Sequence, residues 1–146
     1  MGDNDCFLIF DVSDPSTPKK INSLEMDVEA FAIKDNYAYI PNCDRELAVV
    51  DLTIPNRAHK VLEVYIGNCS RDICINGNYA YIANLYDGLI VVDISDPRDA
   101  KEAGRSIDSD TYVRYTAVAV KDNYAFLAKD GESIAILEIS PKGDSL

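Results

Sequence analysis

The chain has 146 residues, of which 47% are hydrophobic, so it is long and apolar enough to bury the core of one domain. Its net charge of −11 argues against binding to nucleic acid or to an anionic membrane surface, because both need clustered Lys and Arg. No run of about 18 apolar residues is present, so no membrane-spanning helix is predicted.

Two short motifs recur along the chain and set its predicted elements. A five-residue motif, with two apolar residues, an Asp or Glu, a further apolar residue and a Ser or Thr, occupies 9–13, 49–53, 91–95 and 136–140. The sequence Asn-Tyr-Ala-Tyr-Ile, or a close variant of it, begins at Asn36, Asn78 and Asn123, with spacings of 42 (36 to 78) and 45 residues (78 to 123). A period in the low forties that is built from short apolar runs is typical of a four-stranded propeller blade.

The predicted strands follow one scheme in each repeat, with a hairpin of strands one and two, an apolar strand three and a more polar strand four. No stretch keeps apolar residues at helical spacing, so we expect almost no helix. In chain order the predicted strands are 7–12, 20–26, 31–34, 37–40, 47–52, 60–66, 73–76, 79–82, 89–94, 102–107, 118–121, 124–127 and 134–139.

Each hairpin is linked by two residues, Asp35-Asn36, Gly77-Asn78 or Asp122-Asn123. Such links favour tight turns, and we expect positive φ at both positions. The third strands are apolar on both faces, which is typical of a sheet covered on both sides. In a propeller the neighbouring blades provide these covers.

We therefore predict an all-β propeller segment of four-stranded antiparallel blades, with two complete and two partial blades in a single domain, 1–146. The predicted repeats are 7–26 (partial), 27–68, 69–112 and 113–140 (partial).

The segments 78–83 and 89–97 are similar to the repeat of the LVIVD family of β-propellers, and the resemblance extends from about residue 7 to residue 140. Members of that family are parts of bacterial and archaeal surface or exported proteins, mostly without a defined activity. The resemblance thus implies a propeller fold and an extracellular or cell-surface location, and it supplies no catalytic residue. Residues 1–6 do not read as a secretory signal, so we expect a cytosolic chain or a piece of a longer exported one.

About three repeat periods form an incomplete ring, since propellers need roughly four to eight blades to close. If each end exposes an apolar face on the order of 500 Å², contact of that face with water costs up to ~12 kcal/mol of hydrophobic stabilisation at ~25 cal/mol/Å². We therefore expect either a fragment of a longer propeller or copies of the chain that associate. In a closed dimer, 118–140 would pair with 7–26 of a partner.

A ligand or protein partner is expected at one rim, formed by the loops into the first strands and the links between second and third strands. Residues at this rim that do not repeat are candidates for binding, because the fold itself requires the residues that do. The candidates are Glu29, Asp44, Arg45, Arg71, Asp72, Tyr86, Asp87, Arg114, Thr116, Asp130 and Glu132, with Tyr112 and Tyr115 nearby.

Recurring polar residues have structural explanations. We predict that Asp11, Asp51, Asp93 and Glu138 cap the turns after the third strands rather than bind metal. The tyrosines of the repeated motif are expected to pack between blades. They are Tyr37, Tyr39, Tyr79, Tyr81 and Tyr124.

Cys43 and Cys69 fall on the predicted rim in consecutive repeats and could form a disulfide in an oxidising compartment. Cys74 aligns with two alanines and is expected to be a small core residue. No zinc-site spacing or phosphate loop is present, and Asp108-Ser109-Asp110 lacks the glycine and later glutamate of a calcium loop. We therefore predict neither a catalytic residue, a metal site nor a cofactor.

The sequence favours a non-catalytic interaction or structural scaffold whose partner is another protein or further copies of the chain. One alternative is a metal-dependent hydrolase or lactonase, in which Glu29 and Asp72 would point into a central channel around a cation. Another is a structural subunit whose end blades stack into filaments.

Overall fold

The structure, a computed structural model, describes residues 5–106, 113–131 and 133–139. The described part contains strands and a single short 3₁₀ turn, η1 (Pro55–Arg57), and no α-helix, as predicted. The strands are β1 (Cys6–Asp11), β2 (Lys19–Glu25), β3 (Ala32–Lys34), β4 (Tyr37–Pro41), β5 (Glu46–Asp51), β6 (His59–Tyr65), β7 (Ser70–Asn76), β8 (Tyr79–Asn84), β9 (Gly88–Asp93), β10 (Lys101–Ser106), β11 (Tyr115–Lys121), β12 (Tyr124–Lys129) and β13 (Ser133–Glu138).

These strands form four antiparallel sheets, each with its strands in chain order. Blade one is β1–β2, blade two is β3–β6, blade three is β7–β10 and blade four is β11–β13. The predicted propeller segment of two complete and two partial blades is therefore confirmed. The described part begins and ends with a third strand.

The hairpin turns correct one detail of the sequence analysis. Only the first residue of each turn has positive φ: 53° at Asp35, 60° at Gly77 and 54° at Asp122. Positive φ at the first position alone is typical of a type II′ turn, whereas the sequence analysis expected both positions to be positive, as in type I′. Aspartate tolerates this conformation better than most side chains, which explains its use at two of the three turns.

The first strands of blades three and four begin three residues earlier than predicted. β7 starts at Ser70 and β11 at Tyr115, and each contains a shift in register, between Ser70 and Asp72 and between Tyr115 and Ala117. Arg71 and Thr116 are the extra residues of these bulges, at equivalent positions of the two blades. The polar composition before Ile73 and Val118 suggested loops, but the backbone ladder continues through the bulges.

The core consists of three clusters, one between each pair of consecutive blades. We call the face that a blade turns to the next blade its leading face, and the opposite face its trailing face. Between blades two and three, Leu47 and Val49 of a leading face pack with Ile90, Val92 and Ile94 of a trailing face. The same division of positions holds at the other two interfaces.

Three of the recurring acids cap turns, as predicted. The carboxylates of Asp11, Asp51 and Asp93 accept hydrogen bonds from the backbone N–H two residues later, at 2.9, 2.8 and 2.9 Å. These hydrogen bonds lower the pKa of each carboxyl group below its ordinary value of 3.8. The residue two positions after Glu138 lies outside the described residues.

The tyrosines of the repeated motif pack between blades wherever a next blade exists. Tyr39 and Tyr81 are buried, at 1% and 7% exposure, and Tyr37 and Tyr79 are partly buried. Burial raises the pKa of Tyr39 to about 12. Tyr124, on the leading face of blade four, is instead 45% exposed. No helix in the described part of the chain could span a membrane.

Candidate functional site

Polar contacts that involve the candidate rim residues connect consecutive blades. Arg71 Nη1 of blade three lies 2.8 Å from Glu29 Oε2, in the loop before blade two. Within blade four, Arg114 Nη1 and Asp130 Oδ2 are 3.8 Å apart. Since the side chains of both pairs are about a third to two thirds exposed, we expect each to contribute only about 0–1 kcal/mol.

Asp72 supplies a stronger link between two blades. Its Oδ1 accepts a hydrogen bond from the backbone N–H of Ile73 at 2.9 Å. Its Oδ2 accepts one from the N–H of Val118 in blade four, also at 2.9 Å. The bulge in β7 turns this carboxylate toward the first strand of the next blade, where it holds the two first strands together.

Asp87, in the β8–β9 turn, is bound to the segment that connects blades two and three. Both of its carboxylate oxygens accept hydrogen bonds from Asn68, whose backbone N–H and side-chain amide lie 3.0–3.1 Å away. A Cβ added to Gly67, which has φ of +92°, would lie 2.4 Å from Asp87 Oδ2. The positive φ favours glycine at position 67, and any larger side chain there would also displace the Asp87 carboxylate from its hydrogen bonds with Asn68.

Asn84, the last residue of β8, is a structural residue that the sequence analysis missed. It is fully buried, and its amide donates hydrogen bonds to the carbonyl oxygens of Asn68 at 2.7 Å and Ile66 at 3.4 Å. Its counterpart Asn42 also closes a turn, accepting a hydrogen bond from Glu46 N–H at 3.0 Å. The recurrence of Asn one residue after Pro41 and Ala83 was the available signal.

The other rim candidates are not brought together. Among the described residues, the side chains of Asp44, Arg45, Tyr86 and Thr116 have no hydrogen bond or ion pair, and Tyr86 is 51% exposed. Thr116 and Arg71 lie in bulged strands rather than in loops. Tyr115 is buried, so it does not belong to the exposed rim. Glu132, Tyr112 and Asp108-Ser109-Asp110 lie outside the described residues.

Cys43 and Cys69 meet at the rim, where the structure pairs them as a disulfide with their Cα atoms 3.8 Å apart. Cys43 lies in the β4–β5 turn and Cys69 directly before β7, so the pair links blades two and three. The oxidation state in solution stays a prediction, because proximity alone does not oxidise two thiols. Cys74 packs in the core between blades three and four, and its burial raises the pKa of its thiol to about 11.

The two acids of the hydrolase alternative are both engaged in structural contacts, Glu29 with Arg71 and Asp72 with two backbone N–H groups. Within residues 5–106, 113–131 and 133–139, no three metal-ligating side chains come together. Among the described residues, the rim therefore shows no set of ligands for the cation that this alternative requires.

Exposed apolar side chains cluster on the two end faces, although Phe31, Ile33, Ile54 and Tyr65 are also more than half exposed elsewhere. On the leading face of blade four, Ile134 is 69% and Ile136 60% exposed. On the trailing face of blade one, Leu8, Phe10 and Val12 are 46%, 47% and 62% exposed. Their counterparts in blades two and three are buried or partly buried.

Similarity to one solved structure supports the fold. The chain resembles the computationally designed Ika8 protein with a TM-score of 0.62 at 12% identity, over 84% of this chain and 37% of that one. It therefore spans little more than a third of the designed protein. The computationally designed Ika4 protein aligns with a TM-score of 0.49 at 11% identity, over 80% of this chain and 94% of that one. A search of the curated proteins finds no match.

The family model of the LVIVD repeat matches the chain in four places, at residues 2–25, 27–64, 67–106 and 115–143. These matches follow the four blades and cover most of the sequence. The chain belongs to the LVIVD repeat family.

Proposed function

We propose that the chain is a non-catalytic scaffold of propeller repeats whose two end faces bind protein, and that the first partner is another copy of the chain. The observation that carries this proposal is the exposure of apolar side chains at positions that are buried elsewhere. Ile134 and Ile136 occupy the positions of Leu47 and Val49, which are both fully buried between blades two and three.

The two end faces are complementary in kind. At each of the three interior interfaces a leading face packs on a trailing face. At the interior interfaces, a leading face like that of blade four is covered by a trailing face. Blade one exposes such a trailing face, so the two end faces can pair. This pairing is head-to-tail, and such a contact gives a ring if it closes and a filament if it does not.

Family resemblance favours a surface or exported protein as the setting of this scaffold. In a longer propeller chain, further blades would cover the same two faces. The Cys43–Cys69 pair supports an oxidising compartment, where disulfides persist. Counting free thiols in the denatured protein, with and without reductant, tests this point, since two of the four cysteines should be unreactive without reductant.

The rim is a second surface for recognition by a protein partner. Tyr86 supports this role, because it presents a half-exposed aromatic ring whose neighbours Asp87 and Leu85 are held by hydrogen bonds. A Tyr86→Ala variant should keep the stability and the association state of the native chain. It should no longer bind a protein that the native chain binds at the rim.

The head-to-tail contact is tested with two variants, Ile136→Lys on blade four and Phe10→Glu on blade one. Each variant keeps one intact end face, so each should be monomeric alone in sedimentation velocity. An equimolar mixture should form a dimer through the single junction that both intact faces allow. Asp44→Lys, an exposed rim change, serves as the control and should associate like the native chain.

Two results would contradict the proposal. If Phe10→Glu forms dimers on its own, blade four pairs with blade four and the contact is not head-to-tail. If the native chain and both variants are monomeric over the same concentration range, the end faces do not bind copies.

A further inference from the structure

A cavity of about 540 Å³ lies between blades three and four. One wall belongs to the leading face of blade three and the other to the trailing face of blade four. The apolar residues of the two walls are Tyr79, Tyr81, Leu89, Val91, Leu137 and Ile139. Cavities of roughly 300–1,000 Å³ with mostly apolar walls are typical of sites for small molecules.

Two small residues in the fourth strand of blade three create the cavity. Gly104 and Ser106 of β10 hold the positions that Leu62 and Val64 hold in β6. Leu62 and Val64 pack against the core between blades two and three. A Cβ added to Gly104 would meet no atom within 4 Å, so the space that larger side chains fill in blade two is open in blade three.

At the other interfaces this space is not filled by the fourth strand of the following blade. Neither β6 nor β10 contributes a residue to the core cluster on its trailing side. The residues that these strands turn to the preceding blade include Lys60 and Glu63 in β6 and Glu102 and Arg105 in β10, which are charged. By the same pattern, a fourth strand in blade four would lie over the cavity without filling it.

The charged residues of the lining indicate which sign of charge a ligand carries. Asp122, at the first position of its hairpin turn, and Glu138 both line the cavity and are exposed. Arg105, the basic residue among the described lining residues, binds Glu102 through Nε and Nη2 at 2.7 and 2.6 Å. Two carboxylates beside apolar walls disfavour an anion and attract a positively charged group.

We propose that this cavity binds a small organic ammonium compound, with its apolar body between Val91 and Leu137 and its charged group near Asp122. Tyr79 and Tyr81 add aromatic surface, which attracts ammonium groups through the electrons of the rings. Removal of the apolar body from water supplies the rest of the affinity. The site goes beyond the scaffold function, because it lies between two blades and uses neither an end face nor the rim candidates.

The test uses three soluble probes of one shape, which are benzylamine, positively charged at pH 7, uncharged benzyl alcohol and the anion benzoate. Each is titrated into the native protein labelled with ¹⁵N, and amide chemical shifts are followed. Benzylamine should cause saturable shifts at 79–81, 89–91, 103–106 and 137–139. It should bind about threefold or more tightly than benzyl alcohol, and benzoate should bind more weakly than both.

Protein variants separate the cavity from unspecific attraction. Gly104→Leu restores the side chain of blade two and should weaken binding of benzylamine about tenfold or more, while Ser106→Val should weaken it about threefold. Gly104→Leu should also unfold at a higher temperature, because it fills an empty apolar space, and this result separates a filled site from a damaged fold.

Asp122→Asn removes one charge and keeps a residue that tolerates positive φ, so it should weaken binding of benzylamine about threefold and leave that of benzyl alcohol unchanged. Asp35→Asn is the matched control. It makes the same change at the same turn position of blade two, outside the lining, and should bind benzylamine as the native protein does.

The proposal is overturned if benzylamine causes no saturable shifts at the lining residues, or if Gly104→Leu binds it as tightly as the native protein does. Benzyl alcohol or benzoate binding as tightly as benzylamine would also overturn it. Ile136→Lys, which changes the opposite face of β13, should bind benzylamine like the native chain. Failure of this site and failure of the contact between end faces are therefore distinguishable.

Discussion

The interior interfaces and the end faces are built from the same strand positions and differ only in having a neighbour. Leu47 and Val49, which face blade three, are fully buried, whereas Ile134 and Ile136 at the same positions of blade four are 69% and 60% exposed. Both regions form a six-residue third strand, Glu46–Asp51 and Ser133–Glu138. The comparison shows that the repeat determines each blade, while burial of its faces depends on what lies beside it.

The largest expected difference follows from truncating one position in both regions. Leu47→Ala removes a fully buried side chain and should lower the free energy of unfolding by about 2–5 kcal/mol. Ile134→Ala, the equivalent change on the end face, should cost less than about 0.5 kcal/mol in the monomer. Urea denaturation at low protein concentration measures both. Equal losses would mean that the end face is buried in solution.

A smaller effect should come from the buried polar link between blades two and three. Asn84→Ala leaves the carbonyl oxygens of Asn68 and Ile66 without the amide that they bind, which should cost about 1–3 kcal/mol. Asn56→Ala, at an exposed position of η1, is the control and should be nearly neutral. If the two variants unfold at the same urea concentration, the network around Asn84 does not stabilise the interior.

The sequence predicted the blades well because repetition fixes register. Each Asn-Tyr-Ala motif located a hairpin, and each acidic residue after an apolar run located the end of a third strand to within one residue. The early starts of β7 and β11 were missed, because bulges place polar residues such as Arg71 and Asp72 inside a ladder where periodicity indicates a loop.

The rim was predicted less completely, because a sequence does not reveal which polar side chains bind each other. Asp72 and Asp87 do not repeat and were candidates for binding, but they hold the backbone of neighbouring segments. The cavity at Gly104 could not be predicted, since it depends on which side chain lies opposite Val91 in the folded sheet.

The hairpin turns should respond equally in both regions, since their strain is local. Asp35→Gly in blade two and Asp122→Gly in blade four each relieve a positive φ and should raise stability by about 0.5–1 kcal/mol. Gly77→Ala should lower it by a similar amount, about 1 kcal/mol, although its Cβ would meet no atom. Thermal unfolding monitored by circular dichroism checks these signs. A large difference between Asp35→Gly and Asp122→Gly would show that the turns are coupled to blade packing.

The smallest effect is the dependence of stability on pH. The pKa values of Asp11, Asp51 and Asp93 are lowered by hydrogen bonds to Ser13, Thr53 and Ser95. Because the folded pKa lies below the unfolded value, their contribution is present above about pH 4 and is lost as the pH falls through the folded pKa.

The matched variants for this prediction are Asp51→Ala in the interior and Asp11→Ala at the end. Asp51→Ala should flatten the acid limb more, because Asp51 also binds Arg98 of blade three at 2.9 Å. Urea midpoints between pH 2.5 and pH 7 provide the measurement. Stability that rises on acidification in the native chain would contradict the assigned direction.

The central claim, that the end faces are interior interfaces without a neighbour, is tested most directly by the molar mass of the native chain. Sedimentation equilibrium over a range of concentrations should show reversible growth beyond the monomer, and Ile136→Lys should abolish it. A native chain that stays monomeric at every concentration, and that binds no apolar dye at its ends, would contradict the claim.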